Sequence, residues 1–201
     1  MDCTAVILAA GKGVRMRSEL PKVLHRVAGK PVVQYIVEAV KGAGVQSITL
    51  VVGHGREKVT HCLAGQDLNF VVQEEQLGTG HALMQAADQI DPAHTLLVLA
   101  GDTPLLRQET LTRIIDFHTS EQAYATVLTC EFEHPYGYGR VIRDIDGSFS
   151  RIVEEKDASP EERTVKEINS GIYCFQAGAA LAALSKIKAS NAQGEYYLTD
   201  V

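Results

Sequence analysis

Residues 4–24 read TAVILAAGKGVRMRSELPKVL, a short apolar run that leads directly into a loop with two glycines and several basic residues. The run is too short for a membrane span or a long helix, so it predicts a buried strand over residues 4–10. Glycines let backbone N–H groups approach a ligand closely, and nearby lysine and arginine side chains neutralise phosphate. The stretch therefore predicts a strand followed by a loop that suits an anionic ligand.

The same order, a short β-branched run and then a longer amphipathic run, repeats through the first half of the chain. This alternation predicts an α/β fold with a doubly wound, mostly parallel sheet. The strands read as continuous apolar runs, as expected for a sheet that is covered on both faces. The predicted strands are 4–10, 47–52, 69–73 and 95–100, and the predicted helices are 31–42, 56–64, 80–90 and 107–118.

After about residue 120 the pattern changes to strand-like stretches with little helix between them. AYATVLTCEF, GRVIRDI and SFSRIVEE read as strands, and Asp146 and Gly147 form a hairpin turn between the last two. A charged loop then precedes the strand SGIYCF and a helix over 178–188. We expect an antiparallel extension of the same sheet within one domain over 1–201.

Composition and charge exclude several classes of protein. The 201 residues carry a net charge of −6, which argues against general nucleic-acid binding, since that usually needs a basic face. The longest apolar runs are far shorter than the ~20 residues that cross a bilayer, so we expect no membrane-spanning segment. Four scattered cysteines form no CxxC pair and no signal peptide is apparent, so we expect reduced cysteines in a cytoplasmic protein.

Polar or glycine-rich loops follow each of the four predicted parallel strands. Gly11 and Gly53 follow the first two strands, and Gln73 and Asp102 follow the third and fourth. Ligands of open parallel sheets bind beyond the carboxyl ends of the strands, so we expect these loops to share one site. Six basic residues and a single acidic one lie within 11–30, which indicates an anionic ligand.

Residue types alone leave alternatives open at these loops. The basic loop lacks the GxxxxGK[ST] motif, and Met16 stands where a dinucleotide fingerprint has glycine, so it is either a different phosphate site or a solvated loop. Asp102 is either the N-cap of the next helix or a Mg²⁺ ligand opposite a polyphosphate. Gln73, Gly78 and Thr79 suit the edge of a base, or are ordinary polar loop residues.

Four polar or flexible residues stand beside apolar strands later in the chain. Singly, none of them is specific for a ligand. A sugar needs several donors and acceptors that converge on its hydroxyl groups, so these residues point to a sugar only as a group. They are Gly139, Glu154, Asn169 and Tyr197.

A series of motifs in order along the chain resembles a known enzyme family. The motifs are LAAGKGVRM, LPKVL, EQLGTGHA, GDTPL, GYGR, VEEKD, EINSGIY and NAQGEYYLTD. Together they are similar to the N-terminal uridyltransferase domain of bacterial bifunctional N-acetylglucosamine-1-phosphate uridyltransferase and glucosamine-1-phosphate acetyltransferase. The first motif indicates only a sugar nucleotidyltransferase, and the later ones narrow the resemblance to this family. It implies a nucleotide-diphospho-sugar transferase fold.

The resemblance also implies a reaction and a set of site residues. N-acetylglucosamine 1-phosphate would attack the α-phosphorus of UTP, so that pyrophosphate leaves and UDP-N-acetylglucosamine forms. Arg15 and Lys22 would be the catalytic residues that act on the phosphates, and Asp102 would bind Mg²⁺. The nucleotide-binding residues would be Leu8, Ala9, Gly11, Gln73, Gly78 and Thr79, and the sugar-binding residues would be Gly139, Glu154 and Asn169.

This sequence departs from the family pattern in three respects. Val14 stands where the family's loop commonly has threonine, and Ala100 where some relatives have a larger residue. The family's second metal ligand is an asparagine that we expect beyond residue 201, so we expect a domain cut short at its C-terminus. The acetyltransferase half, a left-handed β-helix that forms homotrimers in relatives, is absent from this sequence.

Two other functions stay open on sequence alone. One is a nucleotidyltransferase that takes another base or another sugar 1-phosphate. The other is a module that binds a nucleotide sugar without catalysis, against which the presence of both Arg15 and Asp102 argues, because a binder needs no cation directed at a leaving group.

Overall fold

Eight strands form one mixed sheet in the computed structural model, which describes residues 2–13 and 16–201. Two further short strands pair into a separate hairpin. The strands are β1 Cys3–Ala9, β2 Arg26–Val27, β3 Lys30–Pro31, β4 Ser47–Val52, β5 Asn69–Val72, β6 Thr95–Ala100, β7 Ala125–Glu131, β8 Arg140–Arg143, β9 Phe149–Val153 and β10 Glu167–Gln176. The helices are α1 Val32–Gly42, α2 Arg56–Cys62, α3 Thr79–Gln85, α4 Gln108–Ser120 and α5 Ala177–Leu184.

The first half of the chain forms the parallel part of the sheet, in the order β5-β4-β1-β6. Ile7 in β1 lies opposite Leu50 in β4 on one side and Leu99 in β6 on the other, and both pairings are parallel. From β1 the chain first winds outward through β4 and β5, then crosses back to place β6 on the other side of β1. The order reverses between β1 and β6, which is where such sheets bind ligands.

Helices cover both faces of the sheet, as the continuous apolar strands predict. On one face, side chains such as Ile7 and Leu50 pack against α1, α2 and α4. On the other face, side chains such as Val6 and Val98 pack against α3 and α5. Since alternate residues of β1 enter the two cores, a polar residue within this strand would remain buried on either face.

The antiparallel extension is confirmed. β10 lies antiparallel beside β6 and also pairs with β7 and β8, and β8 pairs with β9. Asp146 and Gly147 form the predicted hairpin turn, in which the Gly147 N–H donates to the Asp144 carbonyl at 2.9 Å. A register shift in β10 between Asn169 and Tyr173 separates its two stretches of pairing with β7.

Two predicted helices end four or five residues earlier than the sequence pattern indicates, and the helix predicted over 56–64 ends two residues early, at Cys62. The helix predicted over 80–90 begins at Thr79 and ends at Gln85, because the next turn tightens into a 3₁₀ segment, Ala87–Gln89. The helix predicted over 178–188 ends at Leu184, where the Lys186 N–H donates three residues back to the Ala183 carbonyl at 2.9 Å. Within the described residues, no helix has the length and apolarity that a membrane span requires.

Candidate functional site

The carboxyl ends of the parallel strands meet at one edge, as predicted. The Gly101 N–H, just after β6, donates to the Leu8 carbonyl at the end of β1 at 2.9 Å. The His54 N–H donates to the Ala10 carbonyl at 3.4 Å, and the Gln73 N–H donates to the Val52 carbonyl at 2.8 Å. These backbone bonds join the loops after β1, β4, β5 and β6 into one continuous edge.

The segment Pro21–Leu24 holds Lys22 at this edge. Val23 and Leu24 are buried in the core beneath α1, and Pro21 packs against Gly55, where an added Cβ would lie 2.4 Å from the proline ring. Lys22 lies between these anchors in a short 3₁₀ turn and remains partly exposed. The flanking apolar residues of LPKVL therefore fix the backbone while the lysine side chain stays available to a ligand.

Lys22 and Asp102 form an ion pair across the edge of the sheet. The Lys22 ammonium group contacts the Asp102 carboxylate, and their side chains are 39% and 28% exposed. Asp102 does not cap a helix, because α4 begins at Gln108 and the residue before it is Arg107. The N-cap alternative for Asp102 is therefore wrong.

Gly11, in the loop after β1, is exposed among the described residues. Leu8 and Ala9 lie at the end of β1, and no described residue lies within 4 Å of a Cβ added to the exposed Gly11. Gly13 has a φ of +59°, and an added Cβ would lie 2.8 Å from Lys22 Cβ, so glycine lets the loop pass close to Lys22. Val14 and Arg15 lie outside the described residues.

Gln73 is buried and directs its side-chain amide into the next loop. Its Nε2 donates to the Gly78 carbonyl at 3.1 Å and lies 2.9 Å from His81 Nδ1. Because the Gly78 carbonyl can only accept, the amide orientation is fixed, and Oε1 is directed away from that carbonyl. Gln73 therefore supports the loop 77–81, a structural role that the sequence alone did not indicate.

The loop that contains Gly78 and Thr79 pairs with a distant part of the chain, the segment Glu195–Leu198. Gly78 has a φ of +110°, and an added Cβ would lie 2.5 Å from the Tyr196 carbonyl oxygen. The Gly80 N–H donates to that same oxygen at 2.8 Å. The Leu198 N–H donates to Thr79 Oγ1 at 3.0 Å, so the threonine hydroxyl already has a partner within the protein.

The three predicted sugar-binding residues lie together. The Asn169 N–H donates to the Gly139 carbonyl at 2.9 Å, and an added Cβ at Gly139 would lie 3.3 Å from the Glu154 carboxyl group. Asn169 Nδ2 donates to the Tyr173 hydroxyl at 2.6 Å. Tyr197, the fourth member of the predicted group, is buried, and its hydroxyl accepts from Gln193 Nε2 at 2.7 Å.

Thr199 joins the two halves of the site. Its hydroxyl donates to Glu154 Oε1 at 3.3 Å, while the preceding residue, Leu198, donates to Thr79. Burial raises the pKa of the Glu154 carboxyl group; the Thr199 hydrogen bond opposes this, and the negative charges of Asp157, Asp200 and Glu195 add to it. Sequence reasoning missed Thr199, although it lies inside the motif GEYYLTD.

Comparison with known proteins places this geometry in context. The chain matches the model of the MobA-like NTP transferase domain over residues 5–187. A protein of Syntrophomonas wolfei named bifunctional protein GlmU is 56% identical over 200 residues, which are 100% of this chain and 44% of that protein. A protein of the same name from Pelotomaculum thermopropionicum is 54% identical over 202 residues, with the same coverage. The chain thus spans less than half the length of these relatives.

A solved structure supports the fold. The structure of a UDP-glucose pyrophosphorylase complexed with UDP-glucose superposes with a TM-score of 0.80 over 100% of this chain and 85% of that one. The two sequences are 20% identical, so this likeness is one of fold.

Proposed function

Since the chain belongs to the family of MobA-like NTP transferase domains, we propose that it is a uridyltransferase that joins UTP to N-acetylglucosamine 1-phosphate. The products are UDP-N-acetylglucosamine and pyrophosphate. The motif resemblance and the relatives named GlmU support this choice of base and sugar. The chemistry of such a transfer depends mainly on holding the reactants in line and stabilising the negative charge that spreads over the phosphates.

The observation that carries this proposal is the contact of one segment with both parts of the site. Leu198 binds Thr79 in the proposed nucleotide loop, and its neighbour Thr199 binds Glu154 in the proposed sugar cluster. Adjacent residues in a chain are only about 3.8 Å apart at Cα. The two proposed binding regions therefore share one wall, as a reaction that joins a nucleotide to a sugar phosphate requires.

Lys22 and Arg15 are the proposed catalytic residues. The ammonium group of Lys22 lies at the edge formed by β1 and β6, beside Asp102, where the α-phosphate of a nucleotide would add further negative charge. A cation held there stabilises the charge that develops on the transferring phosphate. Arg15 lies outside the described residues, and its proposed action on the leaving pyrophosphate comes from its motif.

The nucleotide would lie along the loops after β1 and β5. Leu8, Ala9 and Gly11 would contact the nucleoside, and Gly11 is exposed. Gln73, Gly78 and Thr79 would contact the uracil edge, with the buried Gln73 amide keeping the loop in place. Gly139, Glu154 and Asn169 would bind the amino sugar.

The proposed metal ion is Mg²⁺, and the residues at the site fit it. The carboxylate of Asp102 offers hard oxygen ligands and is accessible. Mg²⁺ commonly binds one or two carboxylates together with substrate phosphates, so a larger acidic cluster is not required. In residues 2–13 and 16–201, no group of three or more His, Cys, Asp or Glu side chains could hold a metal ion by itself. When bound, the ion would neutralise phosphate oxygens.

Pyrophosphate release tests the proposal. Purified protein with Mg²⁺ is assayed with UTP, dTTP, CTP and ATP, each combined with N-acetylglucosamine 1-phosphate, glucosamine 1-phosphate and glucose 1-phosphate. We expect the pair of UTP and N-acetylglucosamine 1-phosphate to give the highest kcat/KM. Preference for another pair would indicate a related nucleotidyltransferase, and UTP binding without release would indicate a binding module.

A matched pair of variants ties the activity to the site. Lys22→Met should reduce kcat by about 100-fold, because it removes one charge from the transferring phosphate. Lys166→Met, which removes a lysine paired with Glu133 far along the chain, should leave kcat within about twofold. If the two substitutions reduced kcat equally, Lys22 would not be a catalytic residue.

The relatives are longer than this chain, so any activity or assembly that depends on their remaining length is proposed separately. The resemblance suggests that a full-length protein would also acetylate glucosamine 1-phosphate and form homotrimers. The four cysteines are all free in the described structure, which supports the proposed cytoplasmic location.

A further inference from the structure

Arg140 is a fully buried arginine next to the proposed sugar cluster. It lies at the start of β8 and is 2% exposed, the largest side chain among those that are essentially inaccessible. Its Nη2 donates to Glu155 Oε2 at 2.7 Å. Arg140 and Glu155 follow Gly139 and Glu154 directly in the chain, but neither belongs to the proposed binding residues.

The Arg140–Glu155 pair connects two backbone segments. Arg140 Nη1 donates to the Tyr138 carbonyl, and Glu155 Oε2 also accepts from the Gly137 N–H at 3.1 Å. Burial by itself would raise the pKa of the Glu155 carboxyl group, but the hydrogen bonds from Arg140 and Gly137 lower it below its usual value. Glu155 is therefore a charged acceptor that holds the turn 137–140 against the end of β9.

This connection acts on the residues that would touch the sugar. Gly139 lies between Tyr138 and Arg140, both of which belong to the network, and its carbonyl accepts from the Asn169 N–H at 2.9 Å. Glu154, next to Glu155, packs closely against Gly139, since a Cβ added to Gly139 would lie 3.3 Å from the Glu154 carboxyl group. A shift of the turn would therefore move Gly139 relative to both Glu154 and Asn169.

The Arg140 side chain is 2% exposed and the Glu155 side chain 21% exposed, so the arginine charge is removed from water and the carboxylate is only partly removed. Burying a charge is costly, and apolar residues of similar volume often give equal or greater stability. The value of the pair must then lie in the geometry that it imposes. An arginine guanidinium group that bonds both a carbonyl and a carboxylate fixes the distance and the direction between them. Apolar contacts do not impose such a geometry.

We propose that Arg140 and Glu155 are positioning residues for the sugar 1-phosphate: their ion pair sets the spacing between Gly139, Glu154 and Asn169. The inference rests on the proposed function in that it assigns the sugar substrate to this cluster. It goes beyond that function because it assigns a role to two residues that would not touch the substrate.

The test uses a double variant that leaves no unpaired buried charge, Arg140→Met with Glu155→Leu. We expect KM for N-acetylglucosamine 1-phosphate to rise by about 10-fold, because a displaced donor or acceptor loses its bond to the sugar. KM for UTP should stay within about twofold of its original value, since the nucleotide loops lie on the other half of the sheet. A purely structural role would lower the midpoint of urea unfolding without separating the two KM values.

The matched control is Arg143→Met with Glu167→Leu. Arg143 also lies on β8 and makes two bonds to Glu167, at 2.7 and 2.8 Å, but the pair contacts none of the proposed sugar residues. We expect both KM values of this variant to stay within about twofold of the original. If the control raised the sugar KM as strongly as the test variant, the pair Arg140–Glu155 would have no special role.

Amide hydrogen exchange tests the positioning role of Arg140 and Glu155 independently of enzymatic turnover. The Asn169 N–H bonds the Gly139 carbonyl, and the Gly137 N–H bonds Glu155, so both should exchange at least about 10-fold faster in the Arg140→Met/Glu155→Leu variant. Unchanged exchange at Asn169 would overturn the positioning role. If the unmodified protein turned over no sugar phosphate, the proposed function would fail, and the exchange result would still decide whether the pair positions Gly139.

Discussion

The two halves of the sheet position their site residues in different ways. In the parallel half, β1, β4, β5 and β6 end at one edge, and Gly11, Gln73 and Asp102 each lie one or two positions after a strand end. In the antiparallel half, Gly139, Glu154 and Asn169 come together only through cross-strand and loop contacts. The order of the strands places the ends of the first group at one edge, whereas contacts between residues distant in the sequence place the second group.

This difference predicts different responses to mutation. A change at the parallel edge should affect the chemistry while the fold remains intact, because the supporting bonds are backbone bonds such as Gly101 N–H to the Leu8 carbonyl. A change in the antiparallel half should alter stability and sugar binding together, because the same contacts serve both. Each of the following predictions tests one side of this contrast.

The largest effect is expected at Asp102, on the parallel edge. Asp102→Asn should reduce kcat by about 100-fold at a fixed Mg²⁺ concentration and raise the Mg²⁺ concentration needed for half-maximal activity, because a neutral amide is a weaker ligand. The free energy of unfolding should fall by less than about 1 kcal/mol, since the lost pair with Lys22 is partly exposed. The measurements are a Mg²⁺ titration of pyrophosphate release and urea unfolding.

The control for this prediction is Asp67→Asn, which neutralises an exposed aspartate in the turn before β5. It should leave both the metal titration and kcat unchanged. An Asp102→Asn variant with an unchanged Mg²⁺ titration would rule out Asp102 as the metal ligand.

The parallel half and its site edge could be predicted from sequence, because the required signals are local. The strands 47–52 and 95–100 were predicted with their observed bounds, since apolar β-branched runs end abruptly at glycine. Asp102 could be placed at the edge for the same reason. Its alternative as a helix cap could be rejected only once the start of α4 at Gln108 was known.

The antiparallel half was predicted less completely, because its contacts join distant residues. The strand stretches and the Asp146–Gly147 turn were found, but no local pattern shows that Thr199 meets Glu154 or that the segment 195–198 lies against Gly78. Arg140 shows why sequence alone was insufficient here. A charged residue in a strand is predicted to be exposed unless a partner such as Glu155 is known. The roles carried over by motif, including that of Arg15, stay predictions.

The second prediction concerns Gly78, where the two halves meet. Gly78→Ala should lower the free energy of unfolding by about 3 kcal/mol, because φ is +110° and the new Cβ would lie 2.5 Å from the Tyr196 carbonyl oxygen. KM should rise for both UTP and the sugar phosphate, since the segment that follows Tyr196 reaches both parts of the site. Urea unfolding followed by circular dichroism and steady-state kinetics measure the two effects.

Gly147→Ala is the matched control. Gly147 has a φ of +83°, but none of the residues that the structure describes lies within 4 Å of an added Cβ, so only backbone strain of about 1 kcal/mol is expected. Equal destabilisation by the two substitutions would mean that the contact between Gly78 and Tyr196 contributes nothing.

The smallest effect is a pH dependence of stability from Glu154. Its folded pKa is raised above the ordinary value of 4.5, chiefly by burial, so the charged carboxylate destabilises the fold at neutral pH. Glu154→Gln should therefore be more stable than the original protein at pH 7. The difference should shrink as the pH falls through the raised pKa and vanish below about 4.5, where the carboxyl group is protonated in both states.

Urea unfolding of both proteins between pH 4 and pH 7.5 measures this difference. Glu133→Gln, which neutralises an exposed glutamate paired with Lys166, is the control and should show no such gain at pH 7. A Glu154→Gln variant that is less stable than the original protein at pH 7 would show that the Glu154 carboxylate is stabilised in the fold.

The most direct test of the account compares one substitution from each half by measuring both KM values through pyrophosphate release. Gln73→Leu should raise KM for UTP by about 10-fold and leave KM for N-acetylglucosamine 1-phosphate within about twofold, because the lost side-chain bonds to Gly78 and His81 involve no proposed sugar-binding residue and the new side chain does not press on the Tyr196 carbonyl. Asn169→Leu should do the reverse, since Asn169 lies with Gly139. If each substitution raised both KM values equally, the assignment of the nucleotide to the parallel half and the sugar to the antiparallel half would be contradicted.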